Sequence, residues 1–212
     1  MADILQQIAS NLYEGKDQEV AELVQQALDQ GMEPHEILHG GLIAGMDGVG
    51  KDFKADILYM PEVLIAARAM QAGMDVLRPL LAESDVTGVG KYLIGTVAGD
   101  LHDIGKNLVR MMLEGAGFET VDLGKDVKPE TFVAAVREHR PNILGLSALL
   151  TTTMSAMKTT IEALEEAGLR DSVKIMVGGA PVTAAFAQEI GADGYAPDAA
   201  SAVDVARELV SA

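Results

Sequence analysis

The sequence predicts a two-part α + α/β chain. A four-helix bundle over 1–84 and a linker over 85–90 precede a domain over 91–212 built on a five-stranded parallel sheet. Three observations predict this. Apolar residues recur at helical spacing before residue 85. After residue 90, short apolar runs alternate with amphipathic stretches. Between them lies Glu83-Ser-Asp-Val-Thr-Gly-Val-Gly90, polar and glycine-bearing, which reads as the linker.

The helical half divides into four stretches, roughly 2–14, 17–30, 33–53 and 60–82. Val20, Leu23, Val24, Ala27 and Leu28 form one apolar stripe. Val63, Ala67, Met70, Met74, Leu77 and Leu81 form another. Pro34 and Pro61 fit first helical turns, where no backbone N–H is needed. The last helix ends before Pro79 or shortly after it.

In the second half the strand runs are 92–97, 118–123, 142–147, 173–177 and a weak 193–196. Helical stretches fall near 105–116, 129–139, 153–168, 181–190 and 199–211. Such βαβ alternation calls for helices on both faces of the sheet and right-handed crossovers. Five strands suit the Rossmann-like, flavodoxin-like order 2-1-3-4-5, with a switch point between the first and third strands.

Composition narrows the function. Of 212 residues, 49% are hydrophobic, enough for a core, which argues against global disorder. Absent Cys excludes disulfides, thiolate metal sites and Cys nucleophiles. A net charge of -16 repels phosphate, so neither nucleic acid nor an anionic membrane is an expected partner. The start lacks a basic n-region and a long apolar h-region, and no apolar run suits a membrane span. A soluble, cytoplasmic protein is expected.

Ligands of open parallel sheets bind beyond the carboxyl ends of the strands. Three loops lie there: Ala98-Gly-Asp-Leu-His-Asp-Ile-Gly-Lys106, Ser147-Ala-Leu-Leu-Thr-Thr-Thr153 and Gly178-Gly-Ala-Pro181. Dinucleotide and P-loop readings fail on spacing. Gly-x-Gly-x-x-Gly is absent, Gly99 and Gly105 stand too far apart, and Lys106 is followed by Asn107. What remains is one histidine, His102, between carboxylates. A neutral imidazole binds a metal through one nitrogen while a carboxylate on the other fixes the tautomer. Asp100 or Asp103 supplies that carboxylate. The alternative is that His102 only caps or hydrogen-bonds the loop. His35 and His39 share a helical face, but no third ligand repeats with them, and the pair reads as a solvated face. One histidine in a polar, glycine-lined crevice suits a metal that arrives inside a large cofactor.

These residues carry a resemblance. Gly99-Asp-Leu-His-Asp-Ile-Gly-Lys-Asn107 resembles the Asp-x-His-x-x-Gly signature of base-off, His-on cobamide-binding domains. Ser147-x-Leu149 and Gly178-Gly179 stand in the order of the partner motifs. The first four helices resemble the cap bundle of methionine synthase and of small corrinoid proteins. The whole chain resembles the corrinoid proteins that serve methanol, methylamines, betaines or aryl methyl ethers.

The resemblance implies a cobamide cofactor, with cobalt bound below by His102. It implies that Asp100 holds the other imidazole nitrogen and that Ser147 and Thr151 bond the displaced nucleotide tail. Gly105, Gly178 and Gly179 make room for that tail, since a missing Cβ lets backbone approach closely. A large side chain at Gly178 or Gly179 is then expected to block the tail without unfolding the domain. Thr153 stands where methionine synthase has serine; the hydroxyl is kept and a methyl is added. Tyr59 stands where that family places an aromatic over the upper corrin face, with Met60, Ala66 and Met70 nearby.

The implied role is a methyl carrier whose cobalt alternates between Co(I) and methyl-Co(III). It is a subunit of a multi-component methyltransferase, not a complete enzyme. The implied partners are a substrate:corrinoid methyltransferase, a second methyltransferase with a thiol or tetrahydrofolate acceptor, and a reductive activator. Asp100 stabilises an imidazolium when His102 leaves the metal, coupling proton uptake to ligand release. The bundle must move aside for the partners, with the hinge expected near 83–90. Two rival readings stand beside this one. A cobamide-binding sensor would need a DNA-binding module. The small subunit of a cobamide-dependent mutase would not be expected to carry residues 1–84 as a helical cap.

Overall fold

The computed structural model describes residues 2–83 and 89–211. They fall into two compact units, one made by the first five helices and one by the sheet with its helices. Of the expected linker and hinge, residues 84–88 lie outside the described residues.

The first unit holds α1 (Ala2–Tyr13), α2 (Asp17–Asp29), α3 (Pro34–Ile37), a π-helical segment (Leu38–Ile43), α4 (Ala44–Lys54) and α5 (Met60–Glu83). Each helix buries one stripe: Ile4, Ile8 and Leu12 from α1, Val20, Val24 and Ala27 from α2, Val63, Ala66, Met70 and Leu77 from α5. The stretch expected as one helix over 33–53 is helical throughout but changes pitch. Gly40 and Gly41 sit in the π segment, and paired glycines weaken an α-ladder because their unfolded backbone has most freedom to lose. The same helix meets α1 at close range. A Cβ on Gly45 would lie 3.0 Å from the carbonyl oxygen of Ala9. Tyr13 donates its hydroxyl to Asp52 across this contact at 2.7 Å. The last helix continues through Pro79 for about one more turn.

The second unit runs β1 (Lys91–Thr96), α6 (Ile104–Gly115), β2 (Glu119–Asp122), α7 (Pro129–His139), β3 (Ile143–Ser147), α8 (Ser155–Glu166), β4 (Lys174–Gly178), α9 (Ala184–Glu189), β5 (Gly194–Ala196) and α10 (Ala199–Ser211). All strand pairs are parallel and the order is β2-β1-β3-β4-β5, as the alternation predicts. Leu93, Leu144, Leu146, Ile175 and Val177 point to one face. There they join Phe132, Val136, Met157, Ile161 and Leu164 from α7 and α8 in one buried cluster. Right-handed crossovers place α6 and α10 on the other face. Gly194 of β5 lies against Val205 and Leu209 of α10 and against Met176, which a Cβ there would meet at 2.8, 3.1 and 3.2 Å, and Phe118 stands edge-on to Tyr92 at 6.4 Å.

The order has a consequence for the site. The chain leaves β1 toward β2 on one side and returns to β3 on the other. The loops after β1 and β3 therefore diverge above adjacent strands, and a crevice opens between them. Thr96 and Ser147 pair in register, so both loops start from the same level.

Candidate functional site

The loop after β1 turns immediately. Gly99 takes φ +82, a left-handed conformation that L side chains rarely adopt. The N–H of Asp100 reaches back to the Val97 carbonyl at 3.1 Å. This turn drives the Asp100 side chain inward to complete burial, while His102 remains about half exposed.

Asp100 accepts five hydrogen bonds. Oδ1 takes the Nδ1–H of His102 at 2.8 Å and its backbone N–H at 3.0 Å. Oδ2 takes the backbone N–H groups of Leu149 and Leu150 at 2.7 and 3.2 Å and the Thr153 hydroxyl at 2.7 Å. Burial alone pushes this carboxyl up. The Thr153 hydroxyl, the backbone N–H groups of His102 and Leu149 and the His102 ring outweigh it and hold Asp100 well below the usual carboxylate range. Asp100 is therefore ionised and acceptor-only, and Nδ1 of His102 must carry its proton. That leaves Nε2 with its lone pair, the nitrogen that a metal takes. The choice that the sequence leaves between Asp100 and Asp103 is decided in favour of Asp100.

The Thr153 hydroxyl also lies 2.9 Å from the Leu150 carbonyl. It has one proton to give, and the charged acceptor is the stronger. Its methyl lies beside Gly99, where an added Cβ would be in ordinary contact with it at 3.6 Å.

Leu149 is exposed at the end of the carboxylate's donor set; its side chain, with those of Leu101, Ile104 and Leu150, lies open to solvent. Four exposed large apolar side chains in the segment that carries His102 and in the loop that holds Asp100 have no use in the core. They suit a flat, largely apolar ring set down on the histidine. No cluster of three or more His, Cys, Asp or Glu able to hold an ion occurs among the described residues. A metal at His102 must bring its other ligands with it, as a corrin ring does. The donor set fits.

The remaining expected residues divide. Ser147 is half-buried at the end of β3, and its carbonyl accepts from Val97. Thr151 is exposed. Gly105 is exposed in the first turn of α6, and a Cβ there meets nothing within 4 Å. Gly178 is tighter, with a Cβ 3.3 Å from the Ala196 carbonyl oxygen. Gly179 corrects one expectation. Its φ is +132, and a Cβ would lie 1.9 Å from the Ala148 carbonyl oxygen. The domain itself requires glycine there, so a large side chain would disturb the fold as well as any tail. In the first unit Tyr59 is exposed, beside exposed Ile57 and Met60, while Ala66 and Met70 are core. The Tyr59 N–H donates to the Glu62 carboxylate at 3.0 Å, the reciprocal half of a capping box.

Sequence reasoning missed three things here. The Leu150 N–H is a backbone donor, which no side-chain pattern reports. Lys106, tested above as a phosphate lysine, is buried and ion-paired instead. Its Nζ lies 2.7 Å from both oxygens of Asp122 and donates to Asn107. This pair ties the first turn of α6 to the end of β2. Burial pushes the Asp122 carboxyl up, but Lys106, the Gly124 N–H and Arg110 hold it below its ordinary value. The third is Asp126. Its carboxylate accepts the Gly99 N–H at 2.7 Å.

The comparisons with known proteins agree with this geometry. Residues 90–204 match a family model described as a B12 binding domain, and residues 4–78 match a second model of the same description. The chain is 45% identical over 210 residues to the dimethylamine corrinoid protein of Methanosarcina barkeri, covering 99% of this chain and 98% of that one. Among solved structures, it is similar to a cobalamin-binding protein from Desulfitobacterium hafniense, with TM-score 0.80 and 33% identity over 97% of this chain and 98% of that one. It is also similar to a chain of the methanol:cobalamin methyltransferase complex from Methanosarcina barkeri. There the TM-score is 0.88 and the identity 31%, covering 99% of this chain and 80% of that one.

Proposed function

The chain belongs to the B12-binding corrinoid proteins, and from that premise we propose that it carries methyl groups on a cobamide between methyltransferases. The observation that carries this reading is the bond from His102 Nδ1 to a buried, ionised Asp100. When bound, the cobamide supplies a cobalt centre that accepts a methyl group and gives it up again. Everything else is the work of the chain.

His102 would hold the cobalt through Nε2, the nitrogen that Asp100 leaves free. Asp100 holds Nδ1–H, which fixes both the tautomer and the direction of the ring. The two backbone N–H groups and the Thr153 hydroxyl keep the carboxylate from rotating away. When Nε2 is off the metal and carries a proton, the same carboxylate is its counter-charge. Leu101, Ile104, Leu149 and Leu150, all exposed, would exclude water from a corrin ring held at His102. Ser147, Thr151, Gly105 and Gly178 are the proposed neighbours of the nucleotide tail, Gly179 shaping the backbone beside it. Tyr59 is the proposed contact from the helical unit.

A substrate:corrinoid methyltransferase is the first partner, in keeping with the complex in which a similar chain was solved. The second partner, with a thiol or tetrahydrofolate acceptor, and a reductive activator complete the proposed cycle. A methylamine is the first donor to try, because the 45%-identical relative is named for dimethylamine.

The test is spectroscopic. Parent protein loaded with cob(II)alamin should show one axial nitrogen in paramagnetic resonance, and His102→Gly should lose it. Because the cofactor's own tail base can also supply one nitrogen, 15N-histidine labelling of the parent assigns the signal, and an axial splitting unchanged by the label would reject His102 as the ligand. Failure of the loaded parent to accept methyl from any donor methyltransferase of the family would reject the carrier role.

A further inference from the structure

Asp100 is gripped twice. The β3 loop holds its side chain, as described. Its backbone is held from the opposite side by Asp126, in the loop after β2. The Asp126 carboxylate accepts the Gly99 N–H at 2.7 Å, and the Asp126 N–H donates to the Asp100 carbonyl at 3.0 Å. These two bonds fall on the Ala98–Gly99 peptide, one residue before Asp100, and on the Asp100–Leu101 peptide that follows it. Asp126 itself stands at φ +55, a left-handed position that Asp and Asn adopt more readily than other side chains. Two neighbouring bonds extend the tie: Thr96 accepts Val127 N–H on its carbonyl, and its hydroxyl donates to the His102 carbonyl at 3.0 Å.

Gly99 is exposed and left-handed, and its peptide is restrained from turning by this bond on its N–H together with the Asp100 N–H to the Val97 carbonyl. A turn of that peptide would swing the Cα–Cβ bond of Asp100 and, through it, the ring of His102. We propose that Asp126 is a positioning residue for the cobalt ligand: by holding Gly99 N–H it fixes how far and in what direction His102 reaches. This rests on His102 being that ligand.

Three substitutions separate the acceptor from the backbone conformation. Asp126→Asn keeps an acceptor oxygen and tolerates the left-handed φ. Asp126→Gly tolerates the φ but has no acceptor. Asp126→Ala loses both. All three keep the backbone N–H. Each protein is loaded with cob(II)alamin, and both the axial nitrogen signal and the cobalamin affinity are measured. Asp126→Asn, which keeps the acceptor but not its charge, should lie within about threefold of the parent. Asp126→Gly and Asp126→Ala should each show a share of cobalt without axial nitrogen and bind roughly tenfold more weakly, the scale of one charge-assisted hydrogen bond.

Asp126→Gly with the full nitrogen signal and parental affinity would overturn the proposal, since the residue would then serve backbone conformation alone. A parent with no nitrogen signal would instead sink the ligand assignment. Amide exchange in the unloaded parent decides the matter even if Asp126→Gly does not fold. The exposed Gly99 amide should exchange at least about tenfold more slowly than an open loop amide; free exchange there would also overturn the proposal.

Discussion

Thr153 and Asp100 stand 53 positions apart, and the threonine hydroxyl donates to the carboxylate oxygen that His102 leaves free, at 2.7 Å. The bond joins the loops above two adjacent strands. It also gives the buried charge a side-chain donor beside its backbone ones.

Removing that hydroxyl without changing shape should therefore cost stability and leave the ligand in place. Thr153→Val is expected to lose about 1–2 kcal/mol, measured by urea unfolding of the unloaded protein. Thr153→Ser should lie within about 0.5 kcal/mol of the parent. A Thr153→Val protein as stable as the parent would show that the four remaining donors suffice.

Gly105 and Gly179 should behave oppositely. Gly105 lies in a helical turn with open space at its Cβ position. Gly105→Ala should raise the stability of the unloaded protein by up to about 1 kcal/mol, through helix propensity. It should also weaken cobamide binding if the tail runs there. Gly179→Ala places a methyl on the Ala148 carbonyl at a strained φ. It should cost about 2–4 kcal/mol before any cofactor is added, a range drawn from core overpacking and backbone strain. Equal thermal midpoints for the two variants would contradict both halves.

Lys106→Met should be destabilising in a way that its size does not explain. The apolar stem is kept, but the Asp122 carboxylate loses its partner in a site only partly open to water. The expected loss is about 1–3 kcal/mol, below the cost of a fully buried orphan charge. Adding Asp122→Asn should recover part of it. A double variant no more stable than Lys106→Met would mean that the pair is held by geometry and not by charge.

Acid should expose both depressed carboxylates. Asp100 and Asp122 each ionise at lower pH folded than unfolded. Their contribution is fully present above the unfolded carboxylate value, about 3.9, and is lost as pH falls from there through the folded values. Urea midpoints should owe these two groups no change between pH 7 and about 5, then fall below about 4. Asp100→Asn should start less stable and fall less steeply.

The sheet order was legible because its signal is periodic. Apolar runs of strand length alternate with amphipathic stretches, and handedness leaves few topologies. The pitch change at Leu38–Ile43 was not, since a π turn keeps the apolar face that periodicity reads. At the site, Asp100 and His102 were legible as chemistry-bearing side chains after the first strand. Spacing alone leaves Asp103 open and the resemblance points to Asp100; the turn at Gly99, φ +82, that sends the Asp100 side chain inward is not visible in spacing. Leu101, Ile104 and Leu150 do carry a signal in the sequence: apolar side chains in loops where no core needs them. Asp126 carried none, because its partner is a backbone N–H.

The clamp on Asp100 bears on protein engineering. The nonapeptide Gly99–Asn107 contains the proposed ligand His102, yet the groups that hydrogen-bond Gly99 and the Asp100 carboxylate belong to the loops after β2 and β3. Transplanted alone onto another doubly wound sheet, the nonapeptide would carry an imidazole with no fixed heading. A graft that works must move three loops as a set, with the spacing of the three strands that hold them. For a designer, the smallest portable unit is one side of a sheet.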